Sequence, residues 1–261
     1  MPSRTSPRRR TPGNVPVTGR LVLLRHGESV ANAAREFTGR IDVGLTPRGE
    51  EQAREAARLL AGADLRPDVV LTSPMLRALR TAQEVQAELG LRAPLVEQWR
   101  LVERDYGFLT GMPKARAREV LGPERFVSLR RTRHGRPEAL SPGLAVGLEL
   151  YEAPTGGLGP AGLGESLHDV VERVAPCWYE ARALVADGAV VLVVAHGNSL
   201  RALCAVVDDL TDEEVLHLNL PQAQPLVYAL EDGVPRPRGG RYLDPRTAHA
   251  VAAEIAAEGG T

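Results

Sequence analysis

Apolar and polar positions along the chain predict strands and helices in alternation. Leu21, Val22, Leu23 and Leu24 form a continuous apolar run that stops at Arg25-His26-Gly27-Glu28-Ser29. Such a run suits a strand buried on both faces of a parallel sheet. Its polar end marks the sheet's carboxyl edge, where open α/β sheets place their ligands. Gly27 is read as allowing a sharp turn and close approach of a ligand. Thr46-Pro47-Arg48-Gly49-Glu50 has the form of a helix start, with Thr46 as N-cap and Pro47 at the first helical position. Ala53, Ala56, Ala57, Leu59 and Leu60 then share one face up to Gly62.

The same reading extends down the chain. Residues 67–71 and 94–96 read as strands, separated by a helix that carries Arg77 and Arg80. Two helices are expected over 113–121 and 123–131. A long helix opens at Glu165-Ser166-Leu167, runs through Val171, Val174, Trp178 and Leu184, and ends at Asp187-Gly188. A second apolar strand, 190–195, delivers His196-Gly197-Asn198-Ser199 and a helix with Leu200, Leu203 and Val207. A final strand covers 226–230, and a short alanine-rich helix follows Asp244. This order predicts one α/β domain over 19–261, a three-layer α/β/α arrangement with a mostly parallel central sheet.

Two stretches fall outside that pattern. Residues 1–18 hold Arg4, Arg8, Arg9 and Arg10 among Pro, Ser and Thr, with no apolar periodicity, and are expected to be a disordered tail. Residues 133–164 hold Pro137, Pro142, Pro154 and Pro160 among many glycines. A long irregular stretch inside a compact domain is expected to be a lid or an insert.

Composition narrows the function classes. Hydrophobic residues are 43% and charged residues 25% of 261, which are globular values. A formal net charge of −1 gives no bulk argument for nucleic acid or a membrane surface as partner. No apolar run approaches the roughly 18 residues of a membrane span. Cys177 and Cys204, the two cysteines, lie in apolar helical stretches without metal-ligand spacing. They read as free thiols in a reducing cytoplasm, and no metal is expected. Lys114 is the sole lysine against a background of arginine.

The candidate chemistry comes from repetition. Two apolar strands each end in His-Gly, at His26-Gly27 and His196-Gly197, and a third ends in Thr72-Ser73-Pro74 with Arg77 one turn into the next helix. Residues 99–111 pack Trp99, Glu103, Tyr106 and Phe108 among glycines, as in a binding loop. Two histidines, several arginines and one acid suit phosphoryl transfer through a histidine. There the protein mainly positions the group and neutralises charge on its oxygens. Arg25 and Arg77 can grip phosphate oxygens bidentately. Asn32 and the backbone amides near Gly27 and Gly197 can add neutral donors. A neutral imidazole can act as nucleophile near pH 7, but sequence symmetry does not distinguish His26 from His196. Glu103 can serve as general acid and base, or pair with neighbouring Arg100 or Arg104. Arg130 and Arg131 can bind an anion, or simply favour the end of a helix dipole.

Arg25-His26-Gly27-Glu28-Ser29, together with His196, resembles the histidine phosphatase superfamily. Thr72-Ser73-x-x-x-Arg77-Ala78 and Trp99-Arg100-Leu101-Val102-Glu103-Arg104-Asp105-Tyr106-Gly107 narrow the resemblance to its cofactor-dependent phosphoglycerate mutase branch. Val102 and Asp105 depart from that branch's Trp-Arg-Leu-Asn-Glu-Arg-His-Tyr-Gly run, and Gln222-Ala223-Gln224 from its Thr-Gly-aliphatic turn. The branch's proline cluster is not recognisable in 133–164. The resemblance implies His26 as nucleophile, Glu103 as proton carrier, and His196, Arg25 and Arg77 on the transferred phosphate. It implies Ser29, Asn32, Thr38, Gly39, Arg104, Tyr106, Lys114, Arg130, Arg131, Gly197 and Asn198 as substrate contacts. It further implies 2,3-bisphosphoglycerate as primer, a small anionic phosphorylated substrate and assembly into homo-oligomers. A phosphatase on the same scaffold is the first alternative, and a catalytically silent binding protein the second.

Overall fold

A computed structural model describes residues 19–153 and 157–257. The expectation for 1–18 lies outside the described residues. Among the described residues six strands form one sheet: β1 (Arg20–Arg25), β2 (Val69–Thr72), β3 (Leu95–Glu97), β4 (Val190–Ala195), β5 (Leu226–Glu231) and β6 (Val234–Tyr242), in the order β3-β2-β4-β1-β5-β6. β3, β2, β4 and β1 run parallel, while β5 pairs antiparallel with β1 and β6 antiparallel with β5. The sheet is therefore mostly parallel, as the pattern predicts.

The helices are α1 (Val30–Ala33), α2 (Pro47–Gly62), α3 (Leu76–Glu88), α4 (Lys114–Arg131), α5 (Pro142–Ala145), α6 (Leu167–Ala186), α7 (Gly197–Val207), α8 (Asp212–His217) and α9 (Pro245–Ala257). Alternation along the strands assigns them to layers. Leu21 and Leu23 of β1 join Val191 and Val193 of β4 in a core against α6 and α7. Val22, Leu24, Leu192 and Val194 point the other way, into a core with Ala56, Ala57 and Leu60 of α2 and Ala78, Ala82 and Val85 of α3. A period of two on strands covered from both sides yields this double core. Phe37, Tyr106, Leu109, Ala117, Phe126 and Leu129 form a third cluster.

Capping follows the sequence. Thr46 Oγ1 accepts from Gly49 N–H, with Pro47 at the first turn of α2. Ser166 and Asp169 make a capping box on α6. The two helices expected over 113–121 and 123–131 form the two halves of α4, separated at the non-helical Gly122, whose φ of 73° is left-handed.

Three elements correct the sequence reading. β6 is missed because Val234-Pro235-Arg236-Pro237-Arg238-Gly239-Gly240 looks like a loop; it is an edge strand, where proline is tolerated. The Asp232-Gly233 pair joining it to β5 has φ of 51° and 77°, as a two-residue hairpin turn requires. α8 is short and capped by Thr211 with Glu214. α1 is a single turn that the apolar pattern does not predict.

Candidate active site

The site lies at the carboxyl ends of the central parallel strands. Register pairs Arg25 with Ala195, so the residues that follow, His26 and His196, emerge side by side. Their rings stand edge to face with centroids 5.1 Å apart. Both are buried. The Nδ1 atom of His26 lies 2.6 Å from the carbonyl of Gly27 and donates to it. That bond fixes the tautomer and leaves Nε2 with a free lone pair. Nε2 of His196 is 2.8 Å from Ser73 Oγ, at the end of β2. Burial holds both imidazoles well below the usual histidine pKa, and the neighbouring charge of Arg77 pushes the same way. Each is neutral at pH 7.

Arg25, His26, Asn32, Thr38, Gly39, Arg77, Glu103, Tyr106, Lys114, Arg130 and Asn198 line one cleft, with Glu36 and Phe37. Arg25 donates to the Leu220 carbonyl, and its Nε is buried without a partner. Arg77 donates to the Ile41 and Gly39 carbonyls. Burial lowers both guanidinium pKa values to about 10, so both stay charged. Arg130 stacks over Phe37 and Phe126 at 5.2 and 5.4 Å. The Oδ1 of Asn32 accepts from Gln222 Nε2 at 2.7 Å and from Ser29 N–H, which orients the Asn32 amide.

The carboxylate of Glu103 accepts from the backbone N–H groups of Arg104 and Asn198. Asn198 in turn donates to the Tyr106 hydroxyl and accepts from Arg201. The first turn of α7 therefore sets both Glu103 and Tyr106. Neither neighbouring arginine is spent on Glu103: Arg100 sits over the Trp99 ring at 4.5 Å, and Arg104 is held elsewhere.

The sequence matches a known family over most of the chain. The histidine phosphatase superfamily (branch 1) profile covers residues 21–146 and 148–238. The chain belongs to the histidine phosphatase superfamily. A 2,3-bisphosphoglycerate-dependent phosphoglycerate mutase of Thermobifida fusca is 48% identical, over 87% of this chain and 94% of its own. One of Nitratidesulfovibrio vulgaris is 46% identical, over 92% and 97%. Among solved structures, a mycobacterial glucosyl-3-phosphoglycerate phosphatase complexed with VO3 is 26% identical with a TM-score of 0.62, over 80% of this chain and 92% of its own.

Within this family scaffold, four of the expected contacts serve other ends. Ser29 is fully buried and caps α1, accepting from Asn32 N–H. Arg104 is buried and donates to the carbonyls of Glu165, Leu129 and Gly135. Arg131 donates to the carbonyls of Leu216 and Leu218, tying α4 to α8. The amide of Gly27 is taken by Thr81 Oγ1 at 3.1 Å and is no free donor. The reason for a glycine at 27 also differs from expectation. A Cβ there would lie 2.2 Å from the Gly49 carbonyl oxygen, so the close approach is by helix α2. Gly197 opens α7, directly after its N-cap His196.

Gln222 and Ser73 take roles that the sequence pattern does not predict. Gln222 was a departure from the family turn, and nothing in its spacing pairs it with Asn32, 190 residues away. Ser73 lies in a motif quoted for its arginine. Among the described residues no group of three or more His, Cys, Asp or Glu side chains is arranged to hold a metal ion, and no helix is long and apolar enough to cross a membrane.

Proposed function

We propose that the protein is a 2,3-bisphosphoglycerate-dependent phosphoglycerate mutase. The observation that carries the reading is the cleft itself. A neutral, tautomer-fixed His26 shares it with Glu103 and with four cationic side chains, Arg25, Arg77, Lys114 and Arg130. That excess of positive charge suits a small substrate with both carboxylate and phosphate groups. The relatives that cover nearly all of the chain at 43–48% identity carry the mutase name.

In this mechanism Nε2 of His26 attacks a phosphorus of 2,3-bisphosphoglycerate. The P–N bond forms as the P–O bond breaks, Glu103 gives a proton to the leaving oxygen, the phosphoglycerate departs, and the primed enzyme carries phosphohistidine with Glu103 as carboxylate. Bound 3-phosphoglycerate then attacks that phosphorus through its 2-hydroxyl, whose proton passes to Glu103. The resulting bisphosphate returns its 3-phosphoryl group to His26 while Glu103 gives the proton to the departing O3. 2-Phosphoglycerate leaves. Arg25, Arg77 and His196 hold the transferring oxygens. Lys114, Arg130, Asn32, Thr38, Gly39, Tyr106 and Asn198 shape the space for the rest of the substrate. Work in the cytoplasm, on a small molecule and away from nucleic acid and membranes, belongs to the same proposal, as does assembly into homo-oligomers.

Phosphorus NMR with 3-phosphoglycerate, with and without a trace of 2,3-bisphosphoglycerate, tests it. Primer-dependent growth of the 2-phosphoglycerate signal is expected. Growth of inorganic phosphate instead would overturn the mutase reading. It would favour a phosphatase, the reading supported by the likeness to the solved glucosyl-3-phosphoglycerate phosphatase.

A further inference from the structure

The branch's proline cluster is not recognisable in the sequence of residues 133–164, yet residues on both sides of 154–156 are fastened to the cleft. The fastening uses two buried side chains that stand on the cleft's own loops. Arg40 follows the cleft residue Gly39 and donates to the Tyr151 carbonyl at 2.7 Å and the Gly159 carbonyl at 2.8 Å. Asp105 stands between Arg104 and the cleft residue Tyr106. One of its carboxylate oxygens accepts from Gly107 N–H at 2.8 Å and the other from Gly162 N–H at 2.6 Å. The two side chains face each other at 4.0 Å, each 3% exposed. Asp105 is also one of the positions where this chain leaves the branch's own run.

We infer that the Arg40–Asp105 pair positions the Glu103–Tyr106 loop against residues 149–153 and 157–162, and thereby sets how long phosphohistidine survives before water reaches it. The inference rests on the phosphohistidine reading above. The physical reason is the geometry of the two anchors. The Gly39 carbonyl next to Arg40 receives Arg77, and the backbone two residues before Asp105 carries Glu103. A shift of the segment is therefore passed to both the phosphate grip and the proton carrier. A buried carboxylate with two backbone donors and an arginine beside it is fully satisfied and rigid. Removing its charge leaves Arg40 with the exposed Glu152 as its paired carboxylate and one glycine N–H without an acceptor.

Asp105→Asn and Arg40→Met test this, with Glu152→Gln as control, since Glu152 touches Arg40 from an exposed position. Each protein is labelled with phosphorus-32 from 2,3-bisphosphoglycerate, freed of donor, and followed as label is lost to water without acceptor. Only folded protein takes the label, so this lifetime is not scaled by protein that failed to fold. Loss at least about 10-fold faster than wild type is expected in Asp105→Asn and Arg40→Met, with Glu152→Gln within about 2-fold. In mutase assays kcat should fall more than KM rises. Lifetimes equal to wild type in both variants would overturn the inference while leaving the phosphohistidine reading intact. A wild-type protein that takes no acid-labile label would overturn that reading, and the inference with it.

Discussion

His26 and His196 stand at the ends of two paired parallel strands, 5.1 Å apart between ring centroids, and both are buried beside Arg77. Each is neutral when folded, because burial and adjacent guanidinium charge oppose a further cation. In the unfolded chain each takes a proton near pH 6.5. Below that value the unfolded state binds more protons than the folded one, so stability falls as pH falls. The loss approaches about 1.4 kcal/mol per pH unit for each histidine until its depressed folded pKa is reached. Urea denaturation between about pH 7 and about pH 5 measures the slope. His26→Gln and His196→Gln should each flatten it, and an unchanged slope in both would refute the assignment of neutral rings.

Arg77 and Arg104 make opposite predictions. Arg77 lines the cleft, so Arg77→Lys should lower kcat/KM on the order of 10²- to 10³-fold, through the loss of a planar two-pronged grip on phosphate. Arg104 is absent from the cleft wall and holds four backbone carbonyls. Arg104→Met should cost about 3 kcal/mol of stability by stranding those acceptors. Turnover per labelled active site should stay within about 10-fold of wild type. Denaturation midpoints and active-site titration separate the two effects.

That contrast shows what the chain reveals of its site. The strands, the double core and the meeting of His26, His196, Arg25, Arg77 and Glu103 near the sheet's edge were legible. They follow from apolar runs that stop at charged residues. The duties of the arginines were not. A guanidinium reaches far enough to bind either a ligand or a distant carbonyl, and only the packed fold decides. Arg104 and Arg131 went to carbonyls for that reason. Gln222 was illegible because its partner, Asn32, lies at the other end of the chain. β6 was missed on composition, although Asp232-Gly233 is itself a hairpin signal.

Gly27 and Gly49 form a steric lock between the end of β1 and helix α2. A Cβ on Gly27 would meet the Gly49 carbonyl oxygen at 2.2 Å, and one on Gly49 would meet the Glu28 carbonyl oxygen at 2.1 Å. Neither backbone can yield without moving the other. Gly27→Ala and Gly49→Ala should each destabilise the fold by about 3 kcal/mol, the upper range for overpacking, and cut activity with it. Because either change already forces α2 away from the strand end, the double variant should lose less than the sum. Strict additivity in thermal denaturation would show that the two contacts are independent.

Glu103→Gln separates proton transfer from phosphoryl binding. Glu103 accepts two backbone N–H bonds, so its carboxylate is held in place without a side-chain tie to Arg100 or Arg104. The amide is nearly isosteric and keeps an acceptor oxygen, so the loop should stay folded, yet it cannot take the proton of the attacking hydroxyl. Loss of kcat on the order of 10²- to 10⁴-fold is expected, the range for a positioned general acid–base. Attack of His26 on the primer needs an acid for the leaving oxygen, so label should still reach His26, but slowly. Once formed, the phosphohistidine should persist in the presence of 3-phosphoglycerate, because the hydroxyl attack that would discharge it lacks its base. Discharge by 3-phosphoglycerate at the wild-type rate would remove Glu103 from the chemistry and make it a structural carboxylate of the α7 turn.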